Sequence, residues 1–352
     1  MKKMLCVLFM FSAIMAEGKI SGVSYFNYEC DLTENATNEA GFSFTRTYLT
    51  YKNDISDELS FKFQSDINYK TSPVNLYLKK AQLDWKSPFG KITLGMQGMN
   101  MFNVIEKTWG FRFIEKSPMD LHKFSSSADM GVGYSGKFSD LNFSLLITNG
   151  SGYKNQEDDK HKKISAQAVY GEKKLVKKDG FNIGTSFSME SYDIDAVDAS
   201  VENEWVYGLY NHDNDTNTDE VEGWHNDTIT IDAVTGSSEN NMVMSFFGGY
   251  AGNGLRIGGE FDMHTDSNGD KTKQIMAFYA SYKAMDSLEA LLYFDMYDPD
   301  TGISEDTETY IIAGINYYPT NGLIITPNIR MTSFEDGSDN ETMFKMNFQF
   351  KF

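Results

Sequence analysis

Apolar and polar residues alternate along most of the chain after residue 18, in stretches of about ten residues separated by turn residues. Leu59, Phe61 and Phe63, for example, occupy every second position of one stretch, and Ser60 and Lys62 lie between them. Successive side chains of a β-strand point to opposite faces, so this period of two predicts strands with one apolar and one polar face. The chain ends in the same pattern, in which the apolar residues are Phe344, Met346, Phe348, Phe350 and Phe352.

Sixteen segments carry this pattern. Their apolar faces must be shielded from water, and the sequence predicts no helices that could cover them. We find no segment with the 3.6-residue period of an amphipathic helix that could pack on them. Bacterial outer-membrane barrels contain an even number of strands, as this chain does. The pattern therefore predicts an all-β fold, a transmembrane antiparallel β-barrel of about 16 strands formed by residues 17–352. The predicted strands are 19–30, 42–53, 57–69, 75–87, 90–97, 128–136, 140–148, 162–172, 179–190, 241–250, 254–265, 273–283, 287–298, 309–318, 322–332 and 341–352.

The connections between these segments alternate between short and long. Outer-membrane barrels have short periplasmic turns at one end and longer extracellular loops at the other, so this alternation supports the barrel over a soluble sandwich. The short connections are 53–58, 86–90, 136–140, 251–254 and 318–322. The long ones are 31–41, 98–127, 149–162, 191–240, 298–308 and 333–340.

Residues 1–16 have the composition of a secretory signal peptide. Two lysines precede an apolar stretch from Met4 to Ile14, and Ala16 is the small residue expected before a cleavage site. A short buried helix is the alternative interpretation of this segment. Cleavage after Ala16 would remove one of the two cysteines, and Cys30 alone cannot form an intrachain disulfide.

Composition adds two further expectations. The 50 acidic residues outnumber the 31 Lys and Arg residues, and the formal net charge of −19 argues against nucleic acid as a partner, because phosphate recognition needs a basic surface. Aromatic residues make up 14% of the chain, and those near strand ends are expected to form an interfacial girdle on the outer face. The girdle candidates are Trp85, Tyr317, Tyr318 and Phe352.

The sequence gives no support for catalysis. It contains no H-E-x-x-H, C-x-x-C or G-x-S-x-G motif, and these are common signatures of metal hydrolysis, thiol chemistry and a serine nucleophile. We therefore expect a protein that is not an enzyme and that has no cofactor or resident metal.

Several stretches give the chain a family resemblance: FTRTYL at 44–49, KAQLDW at 80–85, GKITLGMQ at 90–97, SSADMGV at 126–132, and the terminal aromatic residue Phe352. Through them, and through its overall layout, the chain resembles the Gram-negative porins, most closely the superfamily that includes the phosphate-selective porins O and P. The resemblance implies a homotrimer of sixteen-stranded barrels in the outer membrane, in contact with lipid and lipopolysaccharide. It also implies a third loop folded into each lumen, which in this sequence is the loop 98–127.

The polar faces of the strands and the loop 98–127 contain the residues that we expect to line the lumen. A barrel of about sixteen strands is too wide for side chains to fill, and charged groups in a narrow pore sort solutes by size and sign. Basic residues on early strands and acidic residues on late strands would create a transverse field across a narrow lumen. The alternative is that these residues are only the hydrated face of the barrel. The strand candidates are Arg46, Lys62, Lys80, Lys91, Glu260, Asp262, Glu289 and Asp295, and the candidates in the constriction loop are Arg112, Glu115, Lys116, Asp120 and Lys123.

The connection 191–240 is strongly acidic, with 13 Asp and Glu residues and no Lys or Arg. Asp213, Asp215 and Asp219 could supply oxygen ligands to Ca²⁺, although Thr218 stands where an EF-hand loop needs glycine. A solvated extracellular loop is the alternative interpretation of this segment.

Together these features predict an outer-membrane porin, a water-filled channel for passive diffusion of small hydrophilic solutes or ions. The sequence leaves the sign of the permeating ion open. Two alternatives are a surface adhesin or receptor barrel that uses the acidic connection, and a barrel hydrolase with a serine–histidine site at its rim.

Overall fold

The computed structural model describes residues 18–34, 36, 40–69, 71–157, 159–196 and 235–352, together with the backbone of 200–210 and 221–231. No helix in these ranges is long and apolar enough to cross a membrane. The predicted signal peptide 1–16 lies outside the described residues, and so do the candidate calcium ligands Asp213, Asp215 and Asp219. Both stay predictions.

Sixteen strands of the described chain form one closed antiparallel barrel. They are β1 (Lys19–Asp31), β2 (Ala40–Asp54), β3 (Leu59–Asn68), β4 (Asn75–Ser87), β5 (Gly90–Gly98), β6 (Ala128–Phe138), β7 (Leu141–Thr148), β8 (Lys163–Gly171), β9 (Gly180–Ile194), β12 (Ser237–Gly252), β13 (Leu255–Asp266), β14 (Lys271–Met285), β15 (Leu288–Asp298), β16 (Glu308–Thr320), β17 (Leu323–Phe334) and β18 (Glu341–Lys351). Consecutive strands are neighbours, except that β9 lies beside β12. The predicted all-β barrel of sixteen strands is confirmed, with strand ends that differ by a few residues.

The barrel closes between its first and last strands. Phe26 on β1 is opposite Phe348 on β18, and their rings stack with 4.6 Å between centroids. This pairing also brings the end of the chain onto the first strand, where Phe352 N–H donates to Gly22 at 3.1 Å. Closure leaves the sheet with no free edge, which a lipid environment requires because it offers no hydrogen-bond partners to unpaired backbone groups.

The two faces of the barrel differ in polarity, as the alternation predicts. Phe278 and Leu292 point outward and are 55% and 49% exposed. Asn316 and Thr326 point inward and are fully buried, and the Thr326 hydroxyl donates to Asn316 Oδ1 at 2.5 Å. An apolar outer face and a polar lumen are the arrangement of a transmembrane barrel.

One girdle prediction is wrong. Trp85, Tyr317 and Phe352 are exposed on the outer face, but Tyr318 points into the barrel, where its hydroxyl donates to Glu289. Adjacent residues of a strand point to opposite faces, so Tyr317 and Tyr318 cannot both lie in an outer girdle.

The acidic connection 191–240 is not a plain loop. Strand β9 continues into it as far as Ile194, and β12 already begins at Ser237. Between them β10 (Ser200–Tyr210) and β11 (Val221–Ile231) pair as an antiparallel hairpin in a second compact unit, Ser191–Glu239. The acidic residues of this segment are typical of a solvated loop, but its β-branched and aromatic residues favour strands.

The connection between β5 and β6, residues 99–127, folds into the barrel and is called the inner loop below. It contains two short helices, α1 (Ile105–Trp109) and α2 (Pro118–Leu121). Its apolar side chains pack on the inner wall of β12, β14, β15 and β16, so the core of the protein lies inside the barrel. The buried apolar residues of the loop include Met101, Phe102, Val104, Ile105, Trp109, Phe111, Phe113, Ile114, Met119 and Phe124.

Candidate functional site

The inner loop is attached to the barrel wall by a buried ion pair. Arg330 on β17 donates to the carboxylate of Glu115, with 2.7 Å between Nη1 and Oε2. Its Nη2 donates to the carbonyl of Ile114 at 2.7 Å, and the hydroxyl of Tyr310 donates to the same carboxylate at 3.1 Å. Breaking such a pair leaves a buried charge without a partner, so the contact is hard to open. The structure thus places Glu115 at the attachment of the loop.

Polar contacts from other strands hold both ends of the inner loop. Near its start the Ser186 hydroxyl on β9 donates to the carbonyl of Met101 at 2.8 Å. Near its end the ring of His122 lies 3.1 Å from the carboxylate of Asp295 on β15. Because the attachments come from β9, β15 and β17, the loop is fixed across the lumen rather than at one edge.

Trp109 is at the centre of the apolar contact between the inner loop and the wall. Its ring centroid is 5.8 Å from that of Tyr279 and 5.1 Å from that of Tyr293. Its Nε1 donates to the carbonyl of Glu115 at 2.9 Å, which satisfies the polar atom of a fully buried indole. This contact closes one side of the lumen.

Three of the four acidic strand candidates lie behind that contact. Glu260, Asp262 and Asp295 are on the lumen side of β13 and β15, but they are 5%, 0% and 0% exposed. Glu289 is also buried and pairs with Arg256 at 3.6 Å. A transverse field across open water would need exposed carboxylates, whereas all four are buried, Glu289 among wall residues at the short-turn end of the barrel. Within the described residues, no group of three His, Cys, Asp or Glu side chains is arranged to hold a metal ion.

A cavity remains in the lumen on the other side of the inner loop. A cavity of about 550 Å³ lies between the loop and the inner faces of β1–β4 and β18. We call this space the basic passage, because its lining carries seven basic and two acidic side chains. They are Lys52, Lys62, Lys79, Lys80, Lys107, Arg112 and Lys351, with Asp84 and Glu106.

Two consecutive lysines of β4 both point into the basic passage. The register between β3 and β4 shifts so that Gln64 is opposite Lys80 while Ser65 is opposite Leu78, which leaves Lys79 as an extra residue. Such a bulge turns two successive side chains toward the same face. Lys79 is 3% exposed, and its Nζ donates to the hydroxyl of Tyr48 at 2.7 Å.

The charged residues of α1 and the segment after it face the same space. Arg112 lies between two carboxylates, pairing with Glu106 and, at 2.6 Å, with Asp120. Lys107 also lines the passage. Burial lowers the pKa of Lys107 to about 8, although the neighbouring carboxylate of Glu106 raises it. Lys107 is thus mostly a cation at pH 7 and loses its proton as the pH rises through about 8.

The other basic candidates occupy different positions. Arg46 points into the lumen and pairs with Asp66 at 3.4 Å. Lys91 pairs with Asp84 at 3.2 Å near the short-turn end. Lys123 is exposed and has a left-handed backbone, with φ of 64°. Lys116 is partly exposed, and burial lowers its pKa.

Four basic residues of the passage are not among the candidates predicted from the sequence. Lys52 and Lys351 could have been predicted from the alternation. It places Lys52 on the same strand face as Arg46, and Lys351 on the same face as Asn347. Lys79 and Lys107 could not have been predicted in this way, since a bulge and a loop have no fixed side-chain period. The passage therefore became visible only in the folded chain.

The sequence itself matches no family model and no curated protein. Solved outer-membrane proteins nevertheless share its fold over almost the whole chain. An anion-selective porin from Comamonas acidovorans has a TM-score of 0.65 at 11% identity, over 96% of this chain and 99% of that one. OprB of Pseudomonas putida, solved at high pH, has a TM-score of 0.65 at 11% identity, over 98% and 96%.

OmpT of Vibrio cholerae, an outer membrane protein folded in vitro and solved in a trimer form, has a TM-score of 0.58 at 10% identity, over 95% of this chain and 99% of that one. Identities this low show the fold alone. At that level the resemblance to Gram-negative porins is confirmed.

Proposed function

We propose that this protein is a porin of the Gram-negative outer membrane, a water-filled channel through which small hydrophilic solutes diffuse passively. It transports them without chemical conversion. The apolar outer face of the barrel supports this location, because only a closed barrel with such a face is stable as strands in lipid. The fold shared with porins supports the same function.

The observation that carries the proposal is the basic passage. The inner loop fills one side of the lumen and leaves about 550 Å³ open on the other. A wide barrel narrowed by a charged loop admits small solutes and excludes large ones.

The passage favours anions. The chain as a whole has a formal net charge of −19, but electrostatic effects in salt solution extend only about 8–10 Å. A permeating ion therefore responds mainly to the lining, in which seven basic groups outnumber two acidic groups. Narrow clefts lined by charges of one sign concentrate ions of the opposite sign.

The assembly and surroundings belong to the same proposal. We expect a homotrimer, as the resemblance implies, and OmpT of Vibrio cholerae was solved in a trimer form. The apolar outer faces of the barrels would contact outer-membrane lipid and lipopolysaccharide.

Uptake of neutral sugars into liposomes tests the channel directly. The purified full-length protein is folded into liposomes, and swelling is followed with sugars of increasing size. We expect small sugars to enter and the rate to fall steeply as sugar size increases. Liposomes containing heat-denatured protein are the control. Folded protein that gives no more uptake than this control would contradict the proposal.

A further inference from the structure

The connection between β8 and β9 differs from other connections at the short-turn end of the barrel. It has eight residues, 172–179, whereas residues 139 and 140 alone connect β6 to β7. Its centre reads Lys-Lys-Leu-Val-Lys-Lys over residues 173–178, an apolar pair between two pairs of lysines. We call residues 172–179 the basic turn.

The basic turn is bound to the inner loop. Val176 donates its N–H to the carbonyl of Lys107 at 3.0 Å. Asn182 of β9 connects the same two segments, because its Nδ2 donates to the carbonyl of Glu172 at 2.8 Å and to the hydroxyl of Thr108 at 3.3 Å. The turn therefore lies inside the mouth of the barrel, against the end of α1.

Two glycines make room for Leu175 and Val176, the apolar pair of the basic turn. A Cβ on Gly249 of β12 would lie 3.0 Å from Cδ1 of Leu175, and a Cβ on Gly110 of the inner loop would lie 2.7 Å from Cγ2 of Val176. Leu175 is buried as a result. Close packing on both sides makes the turn a fixed part of the lumen wall.

A second cavity of about 610 Å³ lies on the short-turn side of the turn. It shares Val176, Gln349 and Lys351 with the basic passage, so the two cavities adjoin beside the turn. In the proposed channel, a solute that leaves the basic passage would reach this mouth next. The charged lining of the second cavity is Lys177, Lys178, Arg256, Lys283 and Lys351, with Asp179, Asp286 and Glu289.

Ion pairs neutralise only some of the charged side chains that line the second cavity. Arg256 pairs with Glu289 at 3.6 Å, Lys283 with Asp286 at 3.0 Å and Lys178 with Glu172 at 3.3 Å. Lys177 and Lys351, in contrast, make no ion pair within 4.0 Å with any residue that the structure describes. Their charges are available to a passing solute.

We propose that the basic turn is a second anion filter, in series with the basic passage at its short-turn end. The proposal rests on the channel function proposed above. A small inorganic anion leaving the passage meets Lys351 and then Lys177, and each ammonium group offers three N–H donors as well as its charge. The turn thus extends the basic lining beyond the inner loop to the mouth.

Reversal potentials in planar bilayers test the filter. The full-length protein is compared with K177Q/K178Q in gradients of potassium chloride and of potassium sulfate. The matched control is K86Q/K137Q, which removes two lysines at the same end of the barrel that line neither cavity. Circular dichroism checks that each variant retains its strand content.

We expect K177Q/K178Q to lower the anion-to-potassium permeability ratio by about twofold or more, because unit charges act strongly within a Debye length. The reduction should be larger for sulfate than for chloride, since the attraction grows with the charge of the ion. The control should keep the wild-type ratios. Equal ratios for K177Q/K178Q and the control, in a wild type that conducts, would overturn the second filter alone. A wild type that does not conduct would instead overturn the channel function.

Discussion

Arg330 and Glu115 are 215 positions apart in the chain, and their Nη1 and Oε2 atoms lie 2.7 Å apart inside the barrel. One belongs to the wall and the other to the inner loop. Both side chains are largely buried, so the pair links the position of the loop to the stability of the barrel. The width of the basic passage depends on the position of that loop.

Substituting Arg330 by Met should free the middle of the inner loop. Glu115 would be left as an unpaired buried charge, and breaking a buried pair in this way costs about 3–5 kcal/mol. We expect lower resistance to urea in detergent and a larger, noisier single-channel conductance. The double variant R330M/E115M has no unpaired charge and should recover much of the stability. A single variant as stable as the wild type would show that the pair does not hold the loop.

Removing two lysines of the basic passage should weaken its preference for anions. K52Q/K107Q deletes one charge from the wall and one from the inner loop. We expect the chloride-to-potassium permeability ratio to fall about two- to fourfold, because each charge acts on the ion within a Debye length. The variant K86Q/K137Q serves again as the control with two lysines removed. An unchanged ratio in K52Q/K107Q would show that ions take another route.

The anion preference should also depend on pH. Burial lowers the pKa of Lys107 to about 8; Glu106 raises it, and Lys174 and Lys173 lower it. A lysine is charged below its pKa, so the preference should be highest near pH 7 and should decrease toward about pH 9. The variant K107R keeps its charge over this range, because arginine titrates only above about pH 12. The decrease should therefore shrink in K107R, and a decrease of the same size would exclude Lys107 as its source.

Substituting Trp109 by Ala should uncover the acidic side of the lumen. Truncation of a buried tryptophan costs about 3–5 kcal/mol, and the space left behind lies between the inner loop and the wall that carries Glu260 and Asp262. We expect a loss of stability together with a shift of selectivity toward cations. W85A is the matched control, because Trp85 lies on the outer face. A W109A channel with wild-type selectivity would show that the carboxylates stay covered.

The barrel could be predicted from the sequence because each strand has a fixed period. Phe348 and Asn347 are adjacent, and the alternation alone assigns one to the outer face and the other to the lumen. Loop lengths then distinguish the two ends. Pro327 lies within β17, opposite Met346, and the alternation of side chains continues through it.

The passage could not be predicted in the same way. Lys79 points into it only because a bulge shifts the register, and Lys107 only because a loop folds inward. The burial of Asp262 and Asp295 depends on the inner loop that packs over them, a contact between segments far apart in the chain. The alternation along a strand shows on which face a side chain lies, but it does not show what packs over that face.

The sign of the reversal potential for the wild-type protein, measured across a gradient of potassium chloride in planar bilayers, tests the central claim most directly. We expect a conducting channel whose reversal potential shows chloride to be more permeant than potassium. Folded protein that inserts without conductance, or a reversal potential showing potassium to be more permeant, would contradict a basic, open passage beside the inner loop.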